Sequence, residues 1–302
     1  MVRMGNEGLV KDHPAIDELI IWDKKSNKNR NLLKIVRQVK SLRYDYVINL
    51  QRHFSTGLIA MFSGAKYRIG FIPNPLSYFY TLKIPYEFPS SNGMHEIERN
   101  DLLINSETDE TPEKPSLFFS EAVRGSVSQY IEGDFVAIAP ASVWFTKQFP
   151  MENWIDLINQ INPDLKIYLL GAPNDFVLCN QIAKGTTHRK VLVLAGVTSL
   201  EQTSVIIKHA LFCFVNDSAP LHMASAFNTP VCAIFCSTLP SFGFYPLSDD
   251  SVIIETSEQL NCRPCGLHGK KKCPEFHFKC GNLIRITDIK DKVLTISESI
   301  FK

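Results

Sequence analysis

Long apolar runs are missing from this 302-residue chain. The longest, such as Val231–Cys236, are strand-sized, far short of the ~20 residues that cross a bilayer. The opening stretch, Met1-Val2-Arg3-Met4-Gly5-Asn6-Glu7-Gly8, holds no apolar core of a secretory leader. A dominant charge is missing too. Lys+Arg total 32 against 31 Asp+Glu, a net charge of +1, so nothing general favours a nucleic-acid partner. Gly-x-Gly-x-x-Gly and Walker A sequences are both absent, which removes the usual dinucleotide and P-loop signatures. There is no internal repeat and no low-complexity tract. Eight Cys in a chain of this length do not make a disulfide scaffold. These absences leave a cytoplasmic globular protein, and 45% hydrophobic residues suit that class. The length is a prior for two domains.

What is present is alternation of strand and helix, the pattern of parallel sheets covered by helices. In the first half, Glu18–Trp22, Tyr46–Leu50 and Tyr67–Phe71 read as strands. Asn29–Leu42 reads as a helix with apolar Leu32, Ile35, Val36 and Val39, and Thr56–Phe62 as another. The polar, acidic, Pro-containing stretch Asn105–Pro115 reads as a linker. It predicts an N-terminal domain over 1–115 and a C-terminal one over 116–302. The second half is more regular. Strands are expected at Phe135–Ala139, Leu165–Leu170, Val191–Leu194, Leu211–Val215 and Val231–Phe235. Helices are expected at Pro150–Ile161, Asp175–Lys184, Ser199–His209, Ala219–Phe227 and Asp288–Phe301. This is a doubly wound α/β domain of Rossmann type, and the first half reads as part of a second one across a cleft.

Ligands of open α/β sheets bind beyond the carboxyl ends of the strands, so the loops there are the candidate sites. After Phe135–Ala139, the hydroxyls of Ser142 and Thr146 and the ammonium of Lys147 precede a helix opening at Pro150. They suit a diphosphate, although an ordinary surface loop has the same composition. After Leu211–Val215, Asp217 and Ser218 are good N-caps and Pro220 suits the first turn. Residues 218–222 would aim backbone N–H groups at an anion, with His222 one turn in. A plain N-cap with an exposed His fits equally. After Leu165–Leu170, Asp175 is placed either to accept from a ribose diol or simply to cap a helix.

In order and spacing, these loops resemble glycosyltransferase family 9, the ADP-heptose:lipopolysaccharide heptosyltransferases. The resemblance includes Asp45-Tyr46-Val47-Ile48-Asn49-Leu50-Gln51, Ser63-Gly64-Ala65-Lys66-Tyr67-Arg68-Ile69-Gly70-Phe71 and His95-Glu96-Ile97-Glu98-Arg99-Asn100. It continues through Thr146–Trp154 and Gly171-Ala172-Pro173. It is strongest at Asn216–Ala226 with Thr229-Pro230. Pro246-Leu247-Ser248 looks more like the second heptosyltransferase of the pathway than the first. The resemblance implies a GT-B fold of two Rossmann-like domains and inverting transfer of heptose from an ADP-sugar to a lipopolysaccharide core, with no catalytic cofactor. A donor-binding remnant and a GT-B enzyme using another sugar nucleotide are the alternatives. No Asp-x-Asp motif of the metal-dependent GT-A type occurs. By resemblance, Ser142, Thr146 and Lys147 hold the donor phosphates, Lys147 stabilising the leaving group. Asp175 binds the ribose and Thr198 lies at the adenine. Asp217, Ser218, Ala219 and His222 line the diphosphate site. The family's opening strand–loop–helix, which carries the general-base Asp, has no counterpart here. The N-terminal domain is therefore expected to be truncated with exposed sheet edges, and neither Asp12 nor Glu96 can be named as base.

Two features lie outside this frame. Cys262-x2-Cys265-x7-Cys273-x6-Cys280 has the residues for a structural zinc site, with free thiols or a disulfide as alternatives. The same loop carries Arg263, Lys270, Lys271, Lys272 and Lys279 against Glu275, and Lys24–Arg43 carries eight basic residues and no acid. Both stretches suit a phosphate-bearing acceptor on an anionic membrane, or a solvated face.

Overall fold

The computed structural model describes residues 1–88, 93–109 and 112–301 and divides into two compact units, Met1–Glu113 and Lys114–Lys302. Residues 110 and 111 of the expected linker lie outside the described set.

The first unit holds β1 (Val2–Arg3), β2 (Ile21–Trp22), α1 (Lys28–Leu42), β3 (Tyr46–Asn49), α2 (Phe54–Phe62), β4 (Tyr67–Phe71), β5 (Leu82–Ile84) and α3 (Glu96–Asp101). Its strands form two separate parallel sheets, β1-β2 and β3-β4-β5. Leu32, Ile35 and Val39 of α1 are buried with Trp22 and Ile59, as the apolar spacing requires. Arg30, Lys34 and Arg37 are exposed on the other side. Among the described residues, β3 pairs only with β4 and β1 only with β2. Tyr46 and Ile48 of β3 are exposed, and an apolar groove lined by Ile20, Val39, Val47, Ile59 and Ala60 runs between the sheets.

The second unit holds α4 (Glu121–Gly125), β6 (Phe135–Ala139), α5 (Met151–Gln160), β7 (Lys166–Leu169), α6 (Phe176–Gly185) and β8 (Val191–Val193). It continues with α7 (Leu200–His209), β9 (Phe212–Asn216), α8 (Ala219–Phe227), β10 (Val231–Phe235), β11 (Ser251–Glu255), α9 (Lys279–Asn282) and α10 (Ile286–Leu294). Its six strands are all parallel, in the order β11-β10-β9-β6-β7-β8. Every residue of β6, β9 and β10 is buried, as strands covered on both faces must be. The order reverses between β6 and β9, and that switch point is where such sheets open a crevice for a ligand.

Two expectations need correction. Strand β11 was not anticipated. Its Ser-Val-Ile-Ile-Glu sequence offers only three apolar residues, and pairing with β10 supplies the rest. The last helix ends at Leu294 rather than Phe301. Phe301 instead forms an antiparallel bridge with Ile161, and the Asn162 N–H donates to the Ile300 carbonyl at 2.8 Å. Burial of Ile300 and Phe301 beside the main core outweighs continuing the helix.

Candidate active site

The loop after β6 is built from within. Gln148 Nε2 donates to the Ser142 carbonyl at 2.6 Å, and Phe145–Lys147 forms a single 3-10 turn. Asn216, at the last position of β9 and fully buried, clamps it from the neighbouring strand. Its Oδ1 accepts from the Phe149 N–H at 2.9 Å and its Nδ2 donates to the Pro140 carbonyl at 2.8 Å. Both partners are buried backbone groups that would otherwise be unsatisfied. Asn216 belongs to the Asn216–Ala226 motif, whose sequence by itself points to no role for it. Its identity as the residue that sets the loop depends on the β6–β9 adjacency, which no local pattern shows.

Lys147 and Asp217 meet at this switch point. Lys147 Nζ lies 2.6 Å from Asp217 Oδ2, with the two side chains 15% and 9% exposed. Thr238 Oγ1 donates to the same Oδ2 at 2.6 Å, and the Asp217 N–H donates to the Ile234 carbonyl at 3.2 Å. The carboxylate is thus fixed by β9, by β10 and by the residue beyond it. An ammonium has three donors, so the bond to Asp217 leaves Lys147 able to serve a second anion from a fixed position.

Ser218 opens α8, but its hydroxyl donates to the Asn216 carbonyl at 3.3 Å rather than capping the helix, and Asp217 is committed to Lys147. The expected N-cap bond is therefore not formed by either side chain. Ala219 and Pro220 form the first turn; Pro220 has no N–H and the Leu221 N–H donates to the Ser218 carbonyl at 3.0 Å, so the N–H groups of Ser218 and Ala219 stand at the positive end of the dipole. His222 is half-buried, edge-on to Phe244 at 6.3 Å, rather than on an exposed face.

Thr146 is not a surface hydroxyl, as a phosphate ligand would be. It is buried, its Oγ1 accepts from the Lys270 N–H at 2.8 Å and the Ser237 hydroxyl at 2.9 Å, and its N–H donates to the Lys270 carbonyl at 3.1 Å. Its contact is with the Cys-bearing loop, which closes on the Lys147 loop. Gly269, at φ +78°, approaches so closely that a Cβ there would lie 2.9 Å from Lys147 Cγ. Phe145 and Phe278 add a ring contact at 5.1 Å. Arg263 fastens the same loop to the end of β10, donating to the Cys236 carbonyl at 2.7 Å and the Thr238 carbonyl at 2.9 Å and pairing with Glu255 at 2.7 Å.

Asp175 and Thr198 sit on the next two loops along the same sheet edge. Asp175 Oδ2 accepts from the Ala172 N–H at 2.8 Å. Thr198 Oγ1 lies 2.8 Å from Thr203 Oγ1, beside α7, whose N-cap Ser199 forms a capping box with Gln202. The loops are pressed together, with the Gly196 N–H donating to the Gly171 carbonyl at 3.0 Å and Gly196 at φ +74° against Pro173.

Cys262, Cys265, Cys273 and Cys280 are free thiols, the last three buried. The described residues contain no group of three or more His, Cys, Asp or Glu arranged to hold a metal. Burial, then the neighbouring Cys265, pushes the Cys280 thiol up to about 11. In the first unit, Glu96 Oε2 accepts from Tyr86 at 2.9 Å and from Arg99 Nε at 2.8 Å, which commits it structurally. Neighbouring His95 caps α3 through the Ile97 N–H.

Residues 32–275, most of the chain, match the model of glycosyltransferase family 9 (heptosyltransferase). The chain belongs to this family. This glycosyltransferase is 23% identical over 243 residues to Lipopolysaccharide heptosyltransferase 3 of Escherichia coli strain K12, covering 76% of this chain and 71% of that one. Its α/β fold of parallel sheets matches the glycosyl transferase family 9 structure from Veillonella parvula DSM 2008 with TM-score 0.83, 19% identity and coverage of 98% and 87%. It matches the E. coli ADP-heptose LPS heptosyltransferase II with TM-score 0.72, 18% identity and coverage of 97% and 88%. Among the described residues, no helix of this family member is long and apolar enough to cross a membrane.

Proposed function

We propose that this heptosyltransferase moves a heptose from an ADP-sugar to a lipopolysaccharide core acceptor, with inversion at the anomeric carbon. The observation that carries the donor half is the Lys147–Asp217 pair at the β6–β9 switch point, beside the first turn of α8. The diphosphate would lie there, on Lys147 and the N–H groups at Ser218 and Ala219. Adjacent strands are ~4.8 Å apart, so the loops after β7 and β8 fall at successive steps along the edge. A ribose at Asp175 and an adenine at Thr198 match that spacing. Ser142, half-buried, would add its hydroxyl to the diphosphate, and Thr146 acts from behind by holding the loop in place. The activities named for its relatives support heptose and lipopolysaccharide as the sugar and acceptor classes.

The reaction is an in-line displacement. A base takes the proton of the acceptor hydroxyl, its oxygen forms the bond to C1, and the C1–O bond to the diphosphate breaks with its electrons on ADP. Charge develops on the leaving diphosphate, where Lys147 and the helix terminus are already oriented. No metal takes part in this scheme. The N-terminal domain, 1–115, takes the main acceptor role, and the C-terminal domain, 116–302, holds the donor. The acceptor side works at the cytoplasmic membrane surface, for which the exposed Arg30, Lys34 and Arg37 of α1 are suited.

The test is a donor panel with a soluble core oligosaccharide, scored by ADP or UDP release and by the anomeric configuration of the product. Transfer from ADP-heptose with inversion is expected. Transfer from UDP-sugars but not ADP-heptose contradicts the reading.

A further inference from the structure

Three consecutive lysines, Lys270, Lys271 and Lys272, stand exposed beside the proposed donor-phosphate site and have no part in the scheme above. Their backbone is not loosely tethered. Lys270 exchanges two hydrogen bonds with buried Thr146, the residue before Lys147, at 2.8 and 3.1 Å. Gly269 packs directly on the Lys147 stem. The run is therefore held at the rim of the Lys147 loop by contacts that do not use the lysine side chains.

Its charge is not neutralised from within the loop. Between Cys262 and Cys280 there are five basic residues and one acid, Glu275. Of the five, Arg263 is occupied by Glu255 and backbone carbonyls. Lys147, meanwhile, is charge-paired with Asp217. Three consecutive exposed lysines with one acid in the same loop raise the local concentration of oxyanions. The donor diphosphate already has Lys147 and the α8 terminus, so a second anion is the natural occupant.

We propose that Lys270–Lys272 form an oxyanion subsite for the sugar acceptor, binding a phosphate or carboxylate that it carries, with Thr146 as the positioning residue that ties this subsite to Lys147. The proposal deepens the transferase reading and rests on it for the identity of the acceptor.

The test uses the full chain and K270Q/K271Q/K272Q, a surface change that leaves the Thr146 backbone bonds intact. Calorimetry measures affinity for ADP and for a soluble lipopolysaccharide core oligosaccharide. The oligosaccharide is used untreated, after phosphatase treatment, and after reduction of its carboxylates. The variant is expected to bind the untreated oligosaccharide about tenfold more weakly than wild type and ADP equally well. The difference is expected to vanish for the form lacking the recognised anion, which separates phosphate from carboxylate. Unchanged oligosaccharide affinity, or no binding of the oligosaccharide by wild type, overturns the subsite. So does an equal loss towards ADP, which would assign the lysines to the donor. Failure of wild type to bind ADP would instead overturn the donor reading, whatever the lysines do.

Discussion

Lys147 and Asp217 constrain each other at 2.6 Å, each mostly shielded from water. A carboxylate beside a diphosphate site would by itself repel the ligand. Here it holds the ammonium proposed to attract that ligand, and Thr238 holds the carboxylate. Asp217→Asn keeps the shape and removes the charge. It is expected to lower stability by about 3 kcal/mol in urea unfolding, because Lys147 is left without its counter-charge, and to lower turnover as well. Asn216→Ala strands the Phe149 N–H and the Pro140 carbonyl, which among the described residues are bonded through its side-chain amide. A loss of about 3 kcal/mol is expected in the same experiment, since each buried group left unsatisfied costs ~1–3 kcal/mol. Equal stability of Asn216→Ala and wild type would show that water takes over both bonds.

At the scale of elements, strands β6 to β10 and helices α5 to α8 of the second unit were legible because each signal was local. Phe135–Ala139, Ala219–Phe227 and Val231–Phe235 have the bounds their apolar runs and caps indicate. The sheet-edge loops followed from topology. What was not legible were contacts between segments distant in sequence. Thr146 has the composition of a phosphate ligand, yet its partners are Ser237 and Lys270, some hundred residues away. The Cys-bearing loop has the residues for a metal cage, and its clearest structural work is to buttress Lys147 through Gly269 and to grip β10 through Arg263. Gly269→Ala tests this buttress. A left-handed backbone and a Cβ 2.9 Å from Lys147 Cγ predict a modest stability loss, about 1–2 kcal/mol, with a proportionally larger fall in ADP affinity. Loss of stability with unchanged ADP affinity would separate the loop from the site.

Across the whole molecule, buried thiols bias stability against alkaline pH. Burial pushes Cys179 up to about 12 and Cys280 up to about 11, and raises Cys213, Cys232 and Cys236 as well. Unfolded cysteines release their protons near ~8.5. Between that value and about 11 the folded chain binds more protons than the unfolded one, so stability falls as pH rises. Thermal melts from pH ~8 to ~10.5 are expected to show a falling Tm, less steep in C179A/C213A than in wild type. Identical slopes would exclude the thiols as the cause. The two units together are read as a glycosyltransferase whose donor lies on the carboxyl edge of the second sheet. The most direct measurement is calorimetric titration of ADP and UDP into wild type and Lys147→Met. Wild type is expected to prefer ADP, and Lys147→Met to weaken ADP binding by about 10- to 100-fold, the worth of one charge-assisted phosphate contact. Equal affinity for the two nucleotides, or an unchanged ADP affinity in Lys147→Met, would contradict this reading.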